Sequence, residues 1–176
     1  MEDETFVDCG AFNGDTIRDF ISVSGGRYWR IIALEPDSRN FLELKNSVND
    51  ERIRFQPYAT GAKREVLHMS SSGASSSVCE HGDTQVECAT LDELLADEHP
   101  TYIKMDIEGS EIDALRGAAA TIRRCSPKLA ICVYHRPDHL WEIPSLLRQL
   151  LPGSTLTLRN HMLDGFDTVC YCVPNR

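Results

Sequence analysis

Short apolar runs alternate along the chain with stretches in which apolar residues recur every third or fourth position, the pattern of strands and amphipathic helices laid down in turn. The runs predict strands over 5–9, 29–34, 53–58, 101–106 and 128–134. Helices are predicted over 16–23, 37–48, 91–96, 111–123 and 140–151, where spacings such as Phe41, Leu44, Val48 and Ile112, Leu115, Ile122 gather the apolar residues on one face. Gly25-Gly26 and Pro127 punctuate these elements. Two final runs, 155–159 and 168–173, joined by a polar loop containing Gly165, predict an antiparallel hairpin. Five strands alternating with helices argue for a parallel sheet, and the terminal pair makes it seven-stranded and mixed: a Rossmann-like α/β fold with helices on both faces.

Between residues 60 and 88 the periodicity fades. The stretch Ser70-Ser71-Ser72-Gly73-Ala74-Ser75-Ser76-Ser77 is the one low-complexity segment; its composition reads as a flexible surface loop, with a lid that orders over ligand as the sharper alternative. At 176 residues the chain is expected to form one domain, 1–176, burying about 70% of its unfolded surface around a single core. With 41% hydrophobic and 26% charged residues, global disorder is not expected. The net charge of −9 disfavours nucleic acid and anionic membranes as partners. No apolar run approaches the roughly 20 residues of a membrane span, and Met1-Glu2-Asp3-Glu4 is acidic where a signal peptide is basic. The seven cysteines include no C-x-x-C pair and are odd in number, so neither a zinc knuckle nor a disulfide framework follows. Cys132, Cys170 and Cys172 lie in apolar runs as small hydrophobes, which fits a reducing compartment, the cytoplasm by default.

Candidate chemistry concentrates on the first two strands. Phe6-Val7-Asp8-Cys9-Gly10-Ala11-Phe12-Asn13-Gly14-Asp15-Thr16 is an apolar strand running into a glycine turn and a helix start, the arrangement that brings backbone N–H groups up to a ligand. The second strand ends in Ala33-Leu34-Glu35-Pro36, whose carboxylate is placed to accept both hydroxyls of a ribose. A dinucleotide fingerprint needs G-x-G-x-x-G at such a turn. Here the turn reads D-x-G-x-x-x-G-D-T, lacking the middle glycine that admits a pyrophosphate. Asp8 and Asp15 suit a ligand bearing an ammonium and a sulfonium better than a dianion, which points to S-adenosylmethionine. The bland reading is an ordinary strand-to-helix turn with Asp15-Thr16 opening the helix. A nucleotide-binding α/β module that is NAD-dependent or catalytically silent is the functional alternative.

Further along stand Ala89-Thr90-Leu91-Asp92-Glu93-Leu94-Leu95, Tyr102-Ile103-Lys104-Met105-Asp106-Ile107-Glu108-Gly109-Ser110-Glu111 and Leu115-Arg116-Gly117-Ala118. This series resembles the FkbM family of S-adenosylmethionine-dependent methyltransferases, whose hallmarks are T-L-D-x-L-L, then K-x-D-x-E-G-x-E, then a helix ending in L-x-G-A. The likeness extends to Arg159-Asn160-His161 and Val169-Cys170-Tyr171-Cys172-Val173-Pro174, and so covers nearly the whole chain in order. Two departures stand out: Phe12-Asn13 in the turn, where many members carry smaller or branched residues, and a first strand almost at residue 1, without the N-terminal helical extension usual in methyltransferases.

The resemblance implies methyl transfer to a hydroxyl of a sugar or secondary metabolite, a small-molecule acceptor. It assigns Asp8, Cys9, Gly10, Ala11, Phe12, Asn13 and Gly14 to the methionine moiety, with Thr16 beside them; Glu35 with Pro36 to the ribose; and Tyr58 and Ala59 to the adenine edge. Asp106 follows at the carboxyl end of the fourth strand, where α/β sheets bind ligands. Asp106 and Glu108 are expected to line the pocket beside the sulfonium or a divalent cation; alternatively Glu108 and Glu111 complement a helix N-terminus. No metal site is assigned, because no aspartate-asparagine pair of the catechol-methyltransferase kind is present. As general base, His135 at the end of the fifth strand is the candidate, its alternative being a surface or capping histidine before Pro137. His139 and His161 are weaker candidates, and His68, His81 and His99 are expected in loops.

Overall fold

The computed structural model describes residues 3–72, 75–78, 82, 84–162 and 166–175. In chain order the elements begin β1 (Thr5–Cys9), α1 (Asp15–Ser24), β2 (Arg30–Leu34), α2 (Ser38–Ser47), β3 (Ile53–Gln56), β4 (Ala59–Thr60), β5 (Glu65–Ser72) and β6 (Ser75–Val78). They continue with β7 (Thr84–Ala89), α3 (Leu91–Leu94), β8 (Tyr102–Met105), α4 (Glu111–Arg116), α5 (Ala119–Cys125), β9 (Lys128–Cys132), α6 (His139–Leu150), β10 (Thr155–Asn160) and β11 (Thr168–Val173).

The main sheet has the order β10-β11-β9-β8-β1-β2-β3, with β3, β2, β1, β8 and β9 parallel and the β10–β11 hairpin antiparallel at one edge. Strand side chains alternate between the faces. From β1, Phe6 packs with Ile17 of α1 and Leu44 of α2 on one side, while Val7 and Cys9 pack with Leu91, Leu115, Ile122, Ile143 and Leu147 from α3 to α6 on the other. Each of these large aliphatic side chains contributes roughly 1.5–3 kcal/mol by leaving water. Because the chain passes from β1 to β2 on one side and later places β8 on the other, the winding reverses beside β1. A crevice opens at the carboxyl ends of strands flanking such a reversal.

All seven predicted strands and the helix-bearing faces are present, with three corrections. The third strand ends at Gln56 rather than at residue 58, since Pro57 has no N–H to extend the ladder, and the chain leaves for another sheet at Ala59. The helix predicted over 111–123 is two helices, broken at Gly117-Ala118. Residues 60–88, read as loop with a flexible serine stretch, instead form a four-stranded sheet of order β4-β7-β5-β6, in which Ser70, Ser71 and Ser72 pair with Ser77, Ser76 and Ser75. His68 accordingly lies on a strand. Backbone pairing, not side-chain pattern, organises this sheet: in β5 Leu67 and Met69 turn inward while Val66 is exposed, and the serines carry no strand signal. Gly73, Ala74, Cys79, His81 and Gly165 lie outside the described residues.

The T-L-D-x-L-L hallmark is structural here. Thr90 and Glu93 form a reciprocal capping box on α3. Asp92 reaches across to α5, whose own N-cap, Ala118, offers no side-chain acceptor, and accepts from Ala120 N at 3.0 Å and Thr121 N at 2.7 Å. Asp92→Ala is therefore expected to cost about 1–2 kcal/mol in urea unfolding, the scale of a lost cap; an unchanged midpoint would show that water replaces the carboxylate.

Candidate active site

At the reversal beside β1, the chain leaves Cys9 through Gly10 at φ 78°, in the left-handed region. A Cβ on Gly10 would lie 2.0 Å from the backbone oxygen of Asp106, so only glycine lets β1 and β8 end side by side. The N–H groups of Gly10 and Ala11 both donate to Leu34 O at 3.0 Å, tying the turn to the end of β2. Glu35, 5% exposed, locks the same junction: Oε2 accepts from Phe12 N at 2.9 Å and Oε1 from Asp37 N at 3.0 Å. The Asn40 side chain also reaches this carboxylate, which keeps acceptor capacity for a ligand. Burial raises the Glu35 pKa, against the two backbone hydrogen bonds that lower it.

A cleft of about 220 Å³ opens above this junction. Its floor carries Lys104, whose Nζ lies 3.2 Å from Asp8 Oδ1, 3.2 Å from Gly10 O and 3.9 Å from Asp106 Oδ2. Asp8 and Lys104 are register partners on β1 and β8, which is why they meet. Burial pushes the Asp8 carboxyl up against the Lys104 ammonium that lowers it, and Lys104, facing two carboxylates, is held well above the ordinary lysine range. The wall after β8 turns sharply at Glu108, φ 54°, a conformation that non-glycine residues adopt at a cost of order 1 kcal/mol or more and that clusters at functional sites. Asp106 Oδ1 accepts from Tyr134 OH at 3.2 Å and lies 3.3 Å from His135 Nε2.

Of the residues singled out in the sequence, Gly10, Phe12, Thr16, Glu35, Pro36, Tyr58, Ala59 and Asp106 line the cleft together. Asp8, Cys9 and Ala11 are buried beneath it, and Asn13 and Gly14 shape the turn behind, Asn13 accepting from Arg18 and Ser47 through its carbonyl. His135 is not among the lining residues; Asp106 and Glu108 stand between it and the open space. Burial alone would lower its pKa, but the hydrogen bond and charge of Glu111, with Asp106 and Glu108, raise it, which favours a charged imidazole over a free base. His161 is exposed and hydrogen-bonds Tyr171 OH at 2.8 Å. The sequence reading missed Lys104, Asn40, Thr60, Met69 and Tyr134 as lining residues. Lys104 and Tyr134 each stand two residues or fewer from a singled-out position, a usable signal; Met69 arrives from the second sheet and had none. Among the described residues no group of three or more His, Cys, Asp or Glu is arranged to hold a metal ion, and no helix is long and apolar enough to cross a membrane.

Comparison with known proteins agrees with the geometry. The family profile described as "Methyltransferase FkbM domain" matches residues 8–161. The FkbM methyltransferase of Methylobacillus flagellatus KT superposes with a TM-score of 0.83 at 31% identity, over 97% of this chain and 44% of that one, so the chain spans less than half of that protein's length. An rRNA methylase from Streptococcus thermophilus (TM-score 0.61, 12% identity, 99% and 89% covered) and a SAM-dependent methyltransferase from Aquifex aeolicus (0.54, 13%, 98% and 84%) share the fold. No curated protein matches the chain. The chain belongs to the FkbM methyltransferase family and has a Rossmann-like fold.

Proposed function

We propose that the cleft beside β1 holds S-adenosylmethionine and that the protein transfers its methyl group to a hydroxyl of a small-molecule acceptor, a sugar or secondary metabolite. The observation that carries this reading is the convergence of the Gly10 turn, Glu35 and Asp106 on one cleft at the sheet's reversal. The fit is supported by Glu35, which retains acceptor capacity for a ribose hydroxyl, and by Thr60, a buried hydroxyl beside the Cys9 thiol, next to Tyr58 and Ala59 where an adenine edge would lie. Asp15 lines the cleft at the start of α1, where a pyrophosphate would need a helix N-terminus free of negative charge; this weighs against NAD. Six described cysteines are free thiols, in keeping with a reducing cytoplasm.

When bound, the sulfonium supplies an already activated methyl group. The protein's residues then have to bind, orient and deprotonate. Glu35 and the Gly10 turn fix the cofactor, a positioning effect that supplies several kcal/mol. Asp106, on the cleft wall with its Oδ1 steadied by Tyr134 OH and by the His135 ring, is the carboxylate that receives the acceptor's proton. His135 acts behind it rather than on the acceptor. Glu35→Ala is expected to weaken S-adenosylhomocysteine binding by about 2 kcal/mol, roughly 30-fold, the scale of lost hydrogen bonds to a charged group; an unchanged dissociation constant would remove Glu35 from the ribose. Incubation with methyl-deuterated cofactor and a panel of hydroxylated acceptors tests the reaction: a labelled methyl on oxygen is expected, and label found only on nitrogen or carbon would overturn the acceptor assignment.

A further inference from the structure

We propose that Glu111 is a positioning residue for the transfer step: its buried carboxylate accepts from His135 Nδ1 and so fixes the His135 ring, with Nε2 on the side of Asp106 and Glu108. The inference rests on the reading of Asp106 as the acceptor-facing carboxylate.

Glu111 opens α4 and is fully buried. Its Oε1 accepts from His135 Nδ1 at 2.8 Å, from Ile107 N at 3.0 Å and from Gly109 N at 3.4 Å. The other oxygen lies 3.2 Å from Nδ1 of His139, a side chain 2% exposed. Two backbone donors prevent this carboxylate from swinging, so the imidazole it holds inherits a fixed orientation. A residue that merely complements a helix end needs neither imidazole.

His135 passes that order to the cleft. Its side chain is 7% exposed, and Nε2 sits 3.3 Å from Asp106 Oδ1 and 3.7 Å from Glu108 Oε2. Nε2 hydrogen-bonds neither carboxylate, so the ring acts on them through charge: a cationic imidazole beside Asp106 and Glu108 offsets their mutual repulsion. Orientation of a histidine by a buried carboxylate on its far nitrogen is the general device by which an imidazole is held in one protonation state and one direction. The groups facing the ring are Asp106 and Glu108 from the segment after β8, Glu111 from α4, the Tyr134 ring with centroids 4.1 Å apart, Arg136 next in the chain, and His139 of α6 across Glu111. With the Glu111 charge removed, burial dominates and the ring gives up its proton at lower pH.

The test follows the His135 ring by nitrogen-15 NMR in the full chain, with S-adenosylhomocysteine titrated calorimetrically alongside. In the native protein the His135 midpoint is expected above the ordinary value of 6.5, with a proton on Nδ1. Glu111→Gln, which keeps shape and one acceptor, should lower the His135 midpoint by at least about one unit with S-adenosylhomocysteine affinity within about threefold; Glu111→Asp should fall between. A midpoint in Glu111→Gln equal to the native one overturns the proposal, as does a native ring carrying no proton on Nδ1, a measurement that needs no variant to fold. Failure of the native chain to bind S-adenosylhomocysteine would instead sink the cofactor reading, whatever His135 does.

Discussion

Asp106→Asn is expected to lower turnover by about 10²-fold or more while S-adenosylhomocysteine affinity stays within about threefold, read by single-turnover methyl transfer and calorimetry. The amide has nearly the same shape, so the packing against Tyr134 and the end of β8 survives. What disappears is a proton acceptor and the negative partner of His135 Nε2 and Lys104 Nζ. With the carboxylate gone, the acceptor hydroxyl has to shed its proton to water, and the ring behind it is left with Glu108 and Glu111. Turnover that survives the substitution would move proton acceptance to Glu108, the other carboxylate on the same wall. Equal loss of affinity and turnover would make Asp106 a cofactor ligand only.

Gly10→Ala is expected to destabilise the fold by roughly 3–5 kcal/mol, lowering the thermal midpoint by about 10 °C in a domain of this size. Two effects add. A side chain at φ 78° is strained in itself, and the new methyl would have to displace the Asp106 carbonyl from 2.0 Å, which is backbone held by the β1–β8 ladder rather than a mobile side-chain tip. Any relaxation that accommodates the methyl pushes Asp106 outward, so cofactor affinity should fall together with stability. A variant as stable as the native chain would mean that the ends of β1 and β8 separate easily, and the cleft geometry would lose its rigid floor.

The sequence revealed the main sheet because its inner strands are buried on both faces and its helices on one, which writes strong apolar periodicity into the chain. Both halves of the cleft's first junction were visible for the same reason: Gly10 and Glu35 sit where regular elements stop, and such positions need special residues. The hydrogen bond from Phe12 to Glu35 that joins them was not, because it depends on how two strands lie in register. The second sheet left almost no trace. Its β5–β6 pairing runs largely through serine backbone, and among the described residues Ala59, Leu67, Met69, Val86 and Cys88 record an inner face. Among the motifs, resemblance alone could not separate chemistry from scaffold. Lys104, Asp106 and Glu108 reach the cleft, whereas Thr90 and Asp92 cap helices and Gly117 lets the chain pass Gly61, whose carbonyl lies 2.0 Å from where a Cβ would stand. Position at the sheet edge makes His135 a candidate base from sequence, but no sequence signal shows that Asp106, Glu108 and Glu111 converge on its ring, because they meet only where the segments after β8 and β9 pack against α4.

Calorimetric titration of the native chain with S-adenosylhomocysteine, run beside the same titration with NAD, is the most direct test of the cleft as a cofactor site. One site per chain for S-adenosylhomocysteine, weakened in Glu35→Ala, and no heat from NAD is the expected result. Saturable binding of NAD with none of S-adenosylhomocysteine would contradict it.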